Sequence, residues 1–189
     1  LGSAVDKDNL NYNLKEYGKA GLGSLEVTPI YGVKGNESHN LCFLSPEWME
    51  MFRYTQEVGK TNGIDIDMNT GTGWPFGGPE VSLSQAAAKA IFECYEVKGG
   101  EPVKLEINIR DPKEQKQRDV AYLDCLIAYG TDGKVVNLTK KVKDGYLQWD
   151  APAGDWQLVA LFVGRTFQKV KRAAPGGEGY VMDHFSPVS

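Results

Sequence analysis

The sequence contains no long hydrophobic run and no excess of basic residues. Its apolar stretches are all far shorter than the ~20 residues that a membrane-spanning helix needs, so no membrane span is predicted. With 21 Lys or Arg against 25 Asp or Glu, the net charge is −4, and nucleic acid is therefore not expected as a partner. The composition, 41% hydrophobic and 24% charged, is typical of a globular protein.

Histidine and cysteine are also scarce, which limits the metal and nucleophile chemistry that the chain can support. The only histidines are His39 and His184, and the three cysteines are Cys42, Cys94 and Cys125. They show no CxxC or HxxxH spacing, so no zinc site is predicted. A GxSxG nucleophile elbow is also missing, and a hydrolase triad has no support.

Two of the cysteines have a predicted environment. Cys94 and Cys125 lie in apolar, strand-like runs, which favours buried free thiols. A disulfide between them is a second possibility that the spacing leaves open.

The length of the chain, 189 residues, falls short of the ~250 that a complete eight-stranded (β/α) barrel takes. The sequence begins Leu1-Gly2-Ser3, without Met and without a signal-peptide pattern. It is therefore expected to be either a mature product or a piece of a longer protein.

The first 90 residues alternate between helical and strand patterns. An apolar stripe at helical spacing predicts a helix over 6–20, and Ser45-Pro46 begins a second helix that ends at Asn62-Gly63. Strands are predicted over Leu25–Tyr31 and 64–69, and a short third helix over 82–90. The order α-β-α-β-α implies parallel strands joined by helical crossovers.

After Ala90 the pattern changes to short strands separated by turn residues. This alternation predicts an antiparallel, jelly-roll-like sandwich, and the strand-like runs are Phe92–Val97, Val103–Ile109, Val120–Tyr129, Val135–Leu138, Tyr146–Trp149 and Trp156–Phe167. Within these runs Trp149 alternates with Leu147, and Trp156 with Leu158, which favours core packing for both tryptophans. In the alternative, they form an aromatic platform together with Tyr146.

Polar side chains alternate along the strand 64–69. Asp65, Asp67 and Asn69 point to one side, and three polar groups on one face of a parallel strand need partners or water. If this face lines a barrel, Asp67 and Asn69 lie nearest the carboxyl end, where ligand sites occur. Salt-bridged structural aspartates are the competing interpretation.

A glycine-rich loop follows that strand. Gly71 and Gly73 fit the dinucleotide fingerprint GxGxxG, but Phe76 occupies the third glycine position and Trp74-Pro75 would obstruct a pyrophosphate. A tryptophan between glycines at a strand end suits a platform for a sugar ring. It could equally close the loop over the core.

Further acidic residues lie near the end of the chain. Glu178 stands on glycine-rich backbone, and Asp183-His184 follows it. A glycosidase needs two carboxylates, and nothing in the spacing selects a pair from the candidates Glu26, Asp67, Glu80, Glu178 and Asp183. The basic runs 140–141 and 169–172 are interpreted as solvated surface.

Two segments resemble a known family. Asp67–Pro79 (DMNTGTGWPFGGP) and Arg172–Ser186 (RAAPGGEGYVMDHFS) are similar to glycoside hydrolase family 106, the α-L-rhamnosidases, and Asn11–Gly32 resembles the start of its catalytic barrel. The resemblance implies a (β/α)8 catalytic module with an inserted β-sandwich, inverting hydrolysis of terminal α-L-rhamnose, and a calcium ion in the parent enzyme.

The same resemblance assigns roles to residues. The acid, the base and the calcium ligands are expected on later barrel strands outside this chain, so no catalytic or metal-binding residue is assigned here. The residues that match motif positions on the sugar side are expected to bind substrate: Asn69, Trp74, Glu178, Asp183 and His184.

The sequence therefore predicts a mixed α+β chain of three parts. These are a partial barrel over 1–90, a β-sandwich over 91–171 and a return segment over 172–189. The expected function is that of an inactive fragment of a secreted or periplasmic rhamnosidase whose partner is a rhamnose-containing glycan. The alternatives are a non-catalytic carbohydrate-binding sandwich and a sandwich that only braces the barrel.

Overall fold

The computed structural model describes residues 4–186 and divides them into two compact units. One unit, the α/β unit, runs to Ala87 and resumes at Phe167; the other, the sheet unit, is Ala88–Thr166. In the described part of the chain, no helix is both long and apolar enough to cross a membrane. The strands are β1 Ser24–Val27, β2 Asp65–Met68, β3 Gly77–Gly78, β4 Ala88–Gly99, β5 Pro102–Glu106, β6 Tyr122–Gly130, β7 Val135–Asn137, β8 Val142–Lys143, β9 Tyr146–Asp150, β10 Gly154–Arg165 and β11 Tyr180–Val181.

Both long helices of the α/β unit begin at side-chain caps. Helix α1 spans Lys7–Lys19, and the Asp6 carboxylate accepts the Asn9 N–H at 2.8 Å. Helix α2 spans Pro46–Thr61, and the Ser45 hydroxyl accepts the Trp48 N–H at 3.2 Å. These caps satisfy N–H groups that a helix start otherwise leaves without partners, so both predicted helices are confirmed at their predicted starts.

The two first strands are parallel, as the helical crossover α2 requires. In the register Ser24 lies beside Asp65, and Glu26 beside Asp67. These residues are exposed, whereas Leu25 and Ile66 on the other face are half-buried. The predicted alternation is therefore confirmed over 64–68, whereas Asn69 follows β2 and is half-buried. Two parallel strands are common to a barrel and an open sheet, and the barrel itself stays a prediction.

The predicted third helix over 82–90 is wrong. Only a single 3₁₀ turn forms, at Leu83–Gln85, where Ser82 and Gln85 cap one another. From Ala88 the chain is already in β4, which pairs with β10 along its whole length from Ala88 opposite Arg165. The helix preference of the alanines is small, and a twelve-residue strand pairing overrides it.

The sheet unit consists of two antiparallel sheets. A four-stranded sheet has the order β4-β10-β6-β7, and a three-stranded sheet has the order β5-β9-β8. Buried side chains of both sheets form one core cluster, which includes Tyr95, Leu126, Leu147 and Leu158. The predicted switch to antiparallel sheets is confirmed, and the jelly-roll order stays a prediction.

Trp149 and Trp156 both belong to that core. Their rings meet edge to face with centroids 5.1 Å apart, and only 6% and 4% of the two residues is exposed. The Trp156 indole N–H donates to the Pro152 carbonyl at 2.9 Å, so the buried polar group is satisfied. Core packing is confirmed, and the alternative of an aromatic platform containing these two tryptophans is wrong.

A buried carboxylate braces the segment that follows β5. Glu93 accepts the Arg110 backbone N–H at 2.7 Å and the Arg110 Nε–H at 3.0 Å, and it also accepts the Asp111 N–H. Burial opposes ionisation, but these hydrogen bonds outweigh it and hold the pKa of Glu93 below its ordinary value. Its oxygens are occupied by backbone and guanidinium, which makes this carboxylate a structural group.

The prediction of buried cysteines is wrong. Cys94 is exposed and Cys125 half-buried, and both are free. They lie on the outer side of the four-stranded sheet, on strands that flank β10. Because β10 lies between them, the two cysteines are two strand spacings apart, which is ~9.5 Å. A disulfide spans at most ~7 Å between Cα atoms, so Cys94 and Cys125 do not form one.

Candidate functional site

The two segments that carry the family resemblance are paired with one another. Strand β3 is hydrogen-bonded antiparallel to β11, with Gly78 opposite Tyr180 and Gly77 opposite Val181. Trp74 and Lys171 form a further antiparallel bridge through two backbone hydrogen bonds of 2.9 and 2.6 Å. Residues 69–79 and 169–186, which we call the paired loops, therefore form one structure despite lying about a hundred positions apart.

Glycines make this close approach possible. A Cβ atom on Gly179 would overlap the carbonyl oxygen of Gly78, and one on Gly77 would overlap the carbonyl oxygen of Tyr180. Both obstacles are backbone atoms, which cannot rotate away as a side chain does. The density of glycine in these segments is thus explained by backbone packing.

A buried threonine fastens the paired loops at a second place. Thr72 is 1% exposed, and its hydroxyl donates to the Gly177 carbonyl at 2.6 Å. Its own carbonyl accepts the Ala174 N–H at 2.9 Å. Since a buried hydroxyl without a partner is costly, Thr72 fixes the glycine-rich turn immediately before Glu178.

Asn69 and Trp74 occupy the first paired loop. Asn69 directly follows β2, and its side-chain oxygen accepts the Gly71 N–H at 2.9 Å, which shapes the start of the loop. Trp74 is 50% exposed, although both its backbone N–H and its backbone carbonyl are hydrogen-bonded to Lys171. The alternative in which Trp74 closes the loop over the core does not fit this exposure.

Glu178, Asp183 and His184 occupy the second paired loop. Glu178 is exposed between Gly177 and Gly179. The Asp183 side chain accepts the Phe185 N–H at 3.1 Å and so shapes a turn. The exposed His184 ring lies 5.8 Å from the ring of Phe76. All five residues assigned from the sequence therefore lie on the paired loops; their role in binding stays a prediction.

Two pairings near this site are not predicted by the sequence, although Glu26 is among the candidate carboxylates. Glu26 lies beside Asp67 because the parallel register brings β1 and β2 together. Lys171 lies beside Trp74 because of the backbone bridge, although the run 169–172 was interpreted as solvated surface. No local pattern signals either pairing, since both join positions that are distant in the chain.

The carboxylates and histidines of residues 4–186 do not fit a metal ion. No three His, Cys, Asp or Glu side chains in that range are close enough together to hold one. Glu26 and Asp67 lie opposite each other and form a pair of carboxylates. Asp65 lies on the same face but two residues further along β2, opposite Ser24. The calcium ion implied by the resemblance stays a prediction for the parent enzyme, and no chemical step is assigned to it here.

Comparisons with known proteins agree with the sequence resemblance. Residues 2–132 match the model of glycoside hydrolase family 106, described as alpha-L-rhamnosidase. A protein of Formosa agariphila named "Putative beta-glucuronidase" is 25% identical over 179 aligned residues, which cover 76% of this chain and 15% of that protein.

A solved structure shows a similar fold. The rhamnosidase from Novosphingobium sp. PP1Y superimposes with a TM-score of 0.65 at 13% identity, over 99% of this chain and 34% of that one. The chain thus spans about a third of this structure and 15% of the curated relative. Because the family model covers most of the 189 residues, the chain belongs to glycoside hydrolase family 106.

Proposed function

We propose that this chain is part of a glycoside hydrolase that cleaves terminal α-L-rhamnosidic bonds with inversion, and that it supplies a sugar-binding surface centred on Trp74. The family membership supports the reaction class. The observation that supports the surface is the half-exposed Trp74 ring on a backbone held by hydrogen bonds to Lys171.

An exposed, rigidly held tryptophan suits a sugar. Its flat apolar face packs on the C–H groups of a pyranose ring, and its large area gives binding energy at little loss of conformational entropy. We propose that other polar groups on the paired loops, Asn69, Glu178 and His184, meet sugar hydroxyls. We therefore assign this surface to binding.

The bond-breaking carboxylates are assigned to other parts of the enzyme. An inverting glycosidase places its acid and its base ~6.5–9.5 Å apart, so that a water molecule fits between base and sugar. Glu26 and Asp67 lie directly opposite each other on β1 and β2, and we do not assign them these two roles. The family resemblance implies that the acid and the base lie on later barrel strands, so the chain alone is expected to be inactive.

The proposal extends to substrate and location. A rhamnose-containing oligo- or polysaccharide is the proposed substrate of the enzyme. Such polymers are too large to enter a cell intact, so we place the enzyme in the periplasm or outside the cell. The family membership supports both statements.

The experiment titrates the 189-residue chain with methyl α-L-rhamnoside by NMR and compares Trp74→Ala with Tyr122→Ala. Tyr122 is also an exposed aromatic residue, at 56%, but lies in the sheet unit. Trp74→Ala is expected to weaken binding at least about tenfold, equivalent to ~1.4 kcal/mol, because the ring platform is lost. Tyr122→Ala is expected to bind as the parent chain does.

Two results would contradict the proposal. If Tyr122→Ala lost binding while Trp74→Ala kept it, the sugar would belong to the sheet unit, as a carbohydrate-binding module would have it. Turnover of an aryl α-L-rhamnoside by the 189-residue chain would show that the catalytic carboxylates lie within it.

A further inference from the structure

We propose that the surface around Trp74 takes an anionic sugar, one that carries a carboxylate or a sulfate, and that Lys169 and Lys171 recognise its charge. This inference rests on the proposed sugar platform and narrows its substrate class. It arises from the neighbours of Trp74, which the sequence alone did not reveal.

Two exposed lysines, the exposed Trp74 and the half-buried Tyr180 form one strip. Lys171 is bridged to Trp74, and Lys169 is bridged to Tyr180, so each lysine shares a face with its aromatic partner. Val170 between the lysines is 8% exposed and points the other way, which places both lysines on the outer face. The Lys169 ammonium lies 3.3 Å from the centre of the Tyr180 ring.

The positive charge of this strip is not neutralised within the described chain. Among residues 4–186 neither lysine forms an ion pair, and both are exposed together with Arg172. The sequence from Trp156 to Gly177 contains no Asp or Glu at all. Glu178 follows directly, but Lys169, Lys171 and Arg172 outnumber it, so residues 167–182 carry a net charge of 3 − 1 = +2 in a protein whose net charge is −4.

This arrangement fits a charged sugar better than a neutral one. A pyranose stacked on Trp74 would place its ring substituents at the rim of the indole, and the backbone bridge sets Lys171 directly opposite Trp74 on the same face. An ammonium forms stronger hydrogen bonds to a carboxylate or sulfate than to a hydroxyl. Lys169 is held over an aromatic ring, which limits the freedom it must lose on binding.

The other basic run of the chain provides a matched control. Lys140 and Lys141 are also two exposed lysines, but they follow β7 in the sheet unit. The double variants Lys169→Gln/Lys171→Gln and Lys140→Gln/Lys141→Gln therefore remove the same charge from two different surfaces. A thermal melt of each variant shows whether it is folded.

The experiment measures binding of three disaccharide probes by calorimetry at low salt. The probes are rhamnose linked to glucuronic acid, the same disaccharide with its carboxyl group reduced to an alcohol, and the reduced disaccharide bearing one sulfate ester. Both anionic probes are expected to bind about five- to tenfold more tightly than the reduced one, because two exposed charge contacts are gained. If only one anionic probe binds more tightly than the reduced disaccharide, that result shows whether the surface recognises a carboxylate or a sulfate.

Lys169→Gln/Lys171→Gln is expected to remove this preference, and Lys140→Gln/Lys141→Gln to keep it. The preference for anionic probes is also expected to fall as the salt concentration is raised to 0.5 M. Salt screens exposed charges, and the screening length is already only about 10 Å at 0.1 M.

The inference is overturned if the anionic and reduced probes bind equally, or if the two double variants lose the preference to the same extent. Equal binding of all probes through Trp74 would leave the proposed function intact. Binding that survives Trp74→Ala would contradict the proposed platform, and no binding of any probe would contradict both.

Discussion

The two units of the chain are internally held together by different kinds of contact. The sheet unit buries Leu126, Leu147 and Leu158 completely, and the side chains of both its sheets enclose one continuous core. In the α/β unit the parallel sheet has two strands and exposes Glu26 and Asp67 on one face. Its paired loops are held mainly by backbone hydrogen bonds and close glycine contacts, together with the Thr72 hydroxyl.

This difference indicates where stability and binding each reside. Large apolar side chains stabilise a fold through their buried area and pack into a rigid interior. Backbone pairing without such side chains brings polar and aromatic groups to the surface, where a ligand can reach them. We therefore expect substitutions in the sheet unit to cost stability, and substitutions in the paired loops to cost binding.

The largest effect is expected for Trp156→Ala. The side chain is buried against Trp149, and its removal leaves a cavity in the centre of the sheet unit. A loss of about 3–5 kcal/mol in free energy of unfolding is expected. Amide hydrogen exchange in β10, followed by NMR, measures this loss for the sheet unit separately.

The matched comparison is Trp74→Ala, which truncates an exposed tryptophan. Its effect on the same exchange rates is expected to stay within about 0.5 kcal/mol. If Trp74→Ala and Trp156→Ala lost similar amounts of stability, the proposed difference between the core of the sheet unit and the exposed paired loops would be incorrect.

An intermediate effect is expected for Glu93→Gln. The amide keeps the size of the side chain but loses the charge that accepts hydrogen bonds from Arg110 and Asp111. Charge-assisted hydrogen bonds contribute about 1.5–3 kcal/mol, and a loss of that order is expected at neutral pH.

The same residue makes the stability depend on pH. Because the pKa of Glu93 is lower in the folded chain, its contribution is present above the unfolded value, about 4.3, and is lost as the pH falls through the folded value. Urea midpoints of the parent chain and Glu93→Gln should therefore converge as the pH is lowered below 4.3. Parallel curves would show that the hydrogen bonds do not depend on the charge.

Local patterns in the sequence predict the elements whose causes are local. The caps Asp6 and Ser45 identify helix starts, and alternation in Trp156 and Leu158 identifies buried strand faces. The segment 82–90 is a helix by local preference but begins a long strand, because β10 offers it hydrogen-bond partners some seventy residues away. The apolar run around Cys94 does not predict its exposure, because the buried residues Ile91 and Tyr95 lie on the opposite face of β4.

The candidate site depends on pairing across the chain and was only partly predictable. Trp74 and Glu178 were identified by family resemblance, and nothing in their own segments predicts that Gly78 faces Tyr180. The neighbours Glu26–Asp67 and Trp74–Lys171 arise from strand register. The register between distant segments is set by the fold as a whole, and it cannot be predicted from local patterns in a single sequence.

A smaller loss of stability than for Trp156→Ala, and the sharpest test of the paired loops, is expected for Gly179→Ala. The new Cβ would overlap the backbone of Gly78 and push β3 away from β11, at a cost of about 1–3 kcal/mol. Because Trp74 precedes β3 in the same loop, binding of methyl α-L-rhamnoside should weaken too, while hydrogen exchange in β10 stays unchanged. Gly23→Ala is the control, since a Cβ there meets no atom within 4 Å. If Gly179→Ala altered neither the loop amides nor sugar binding, the close backbone pairing could not be what positions Trp74.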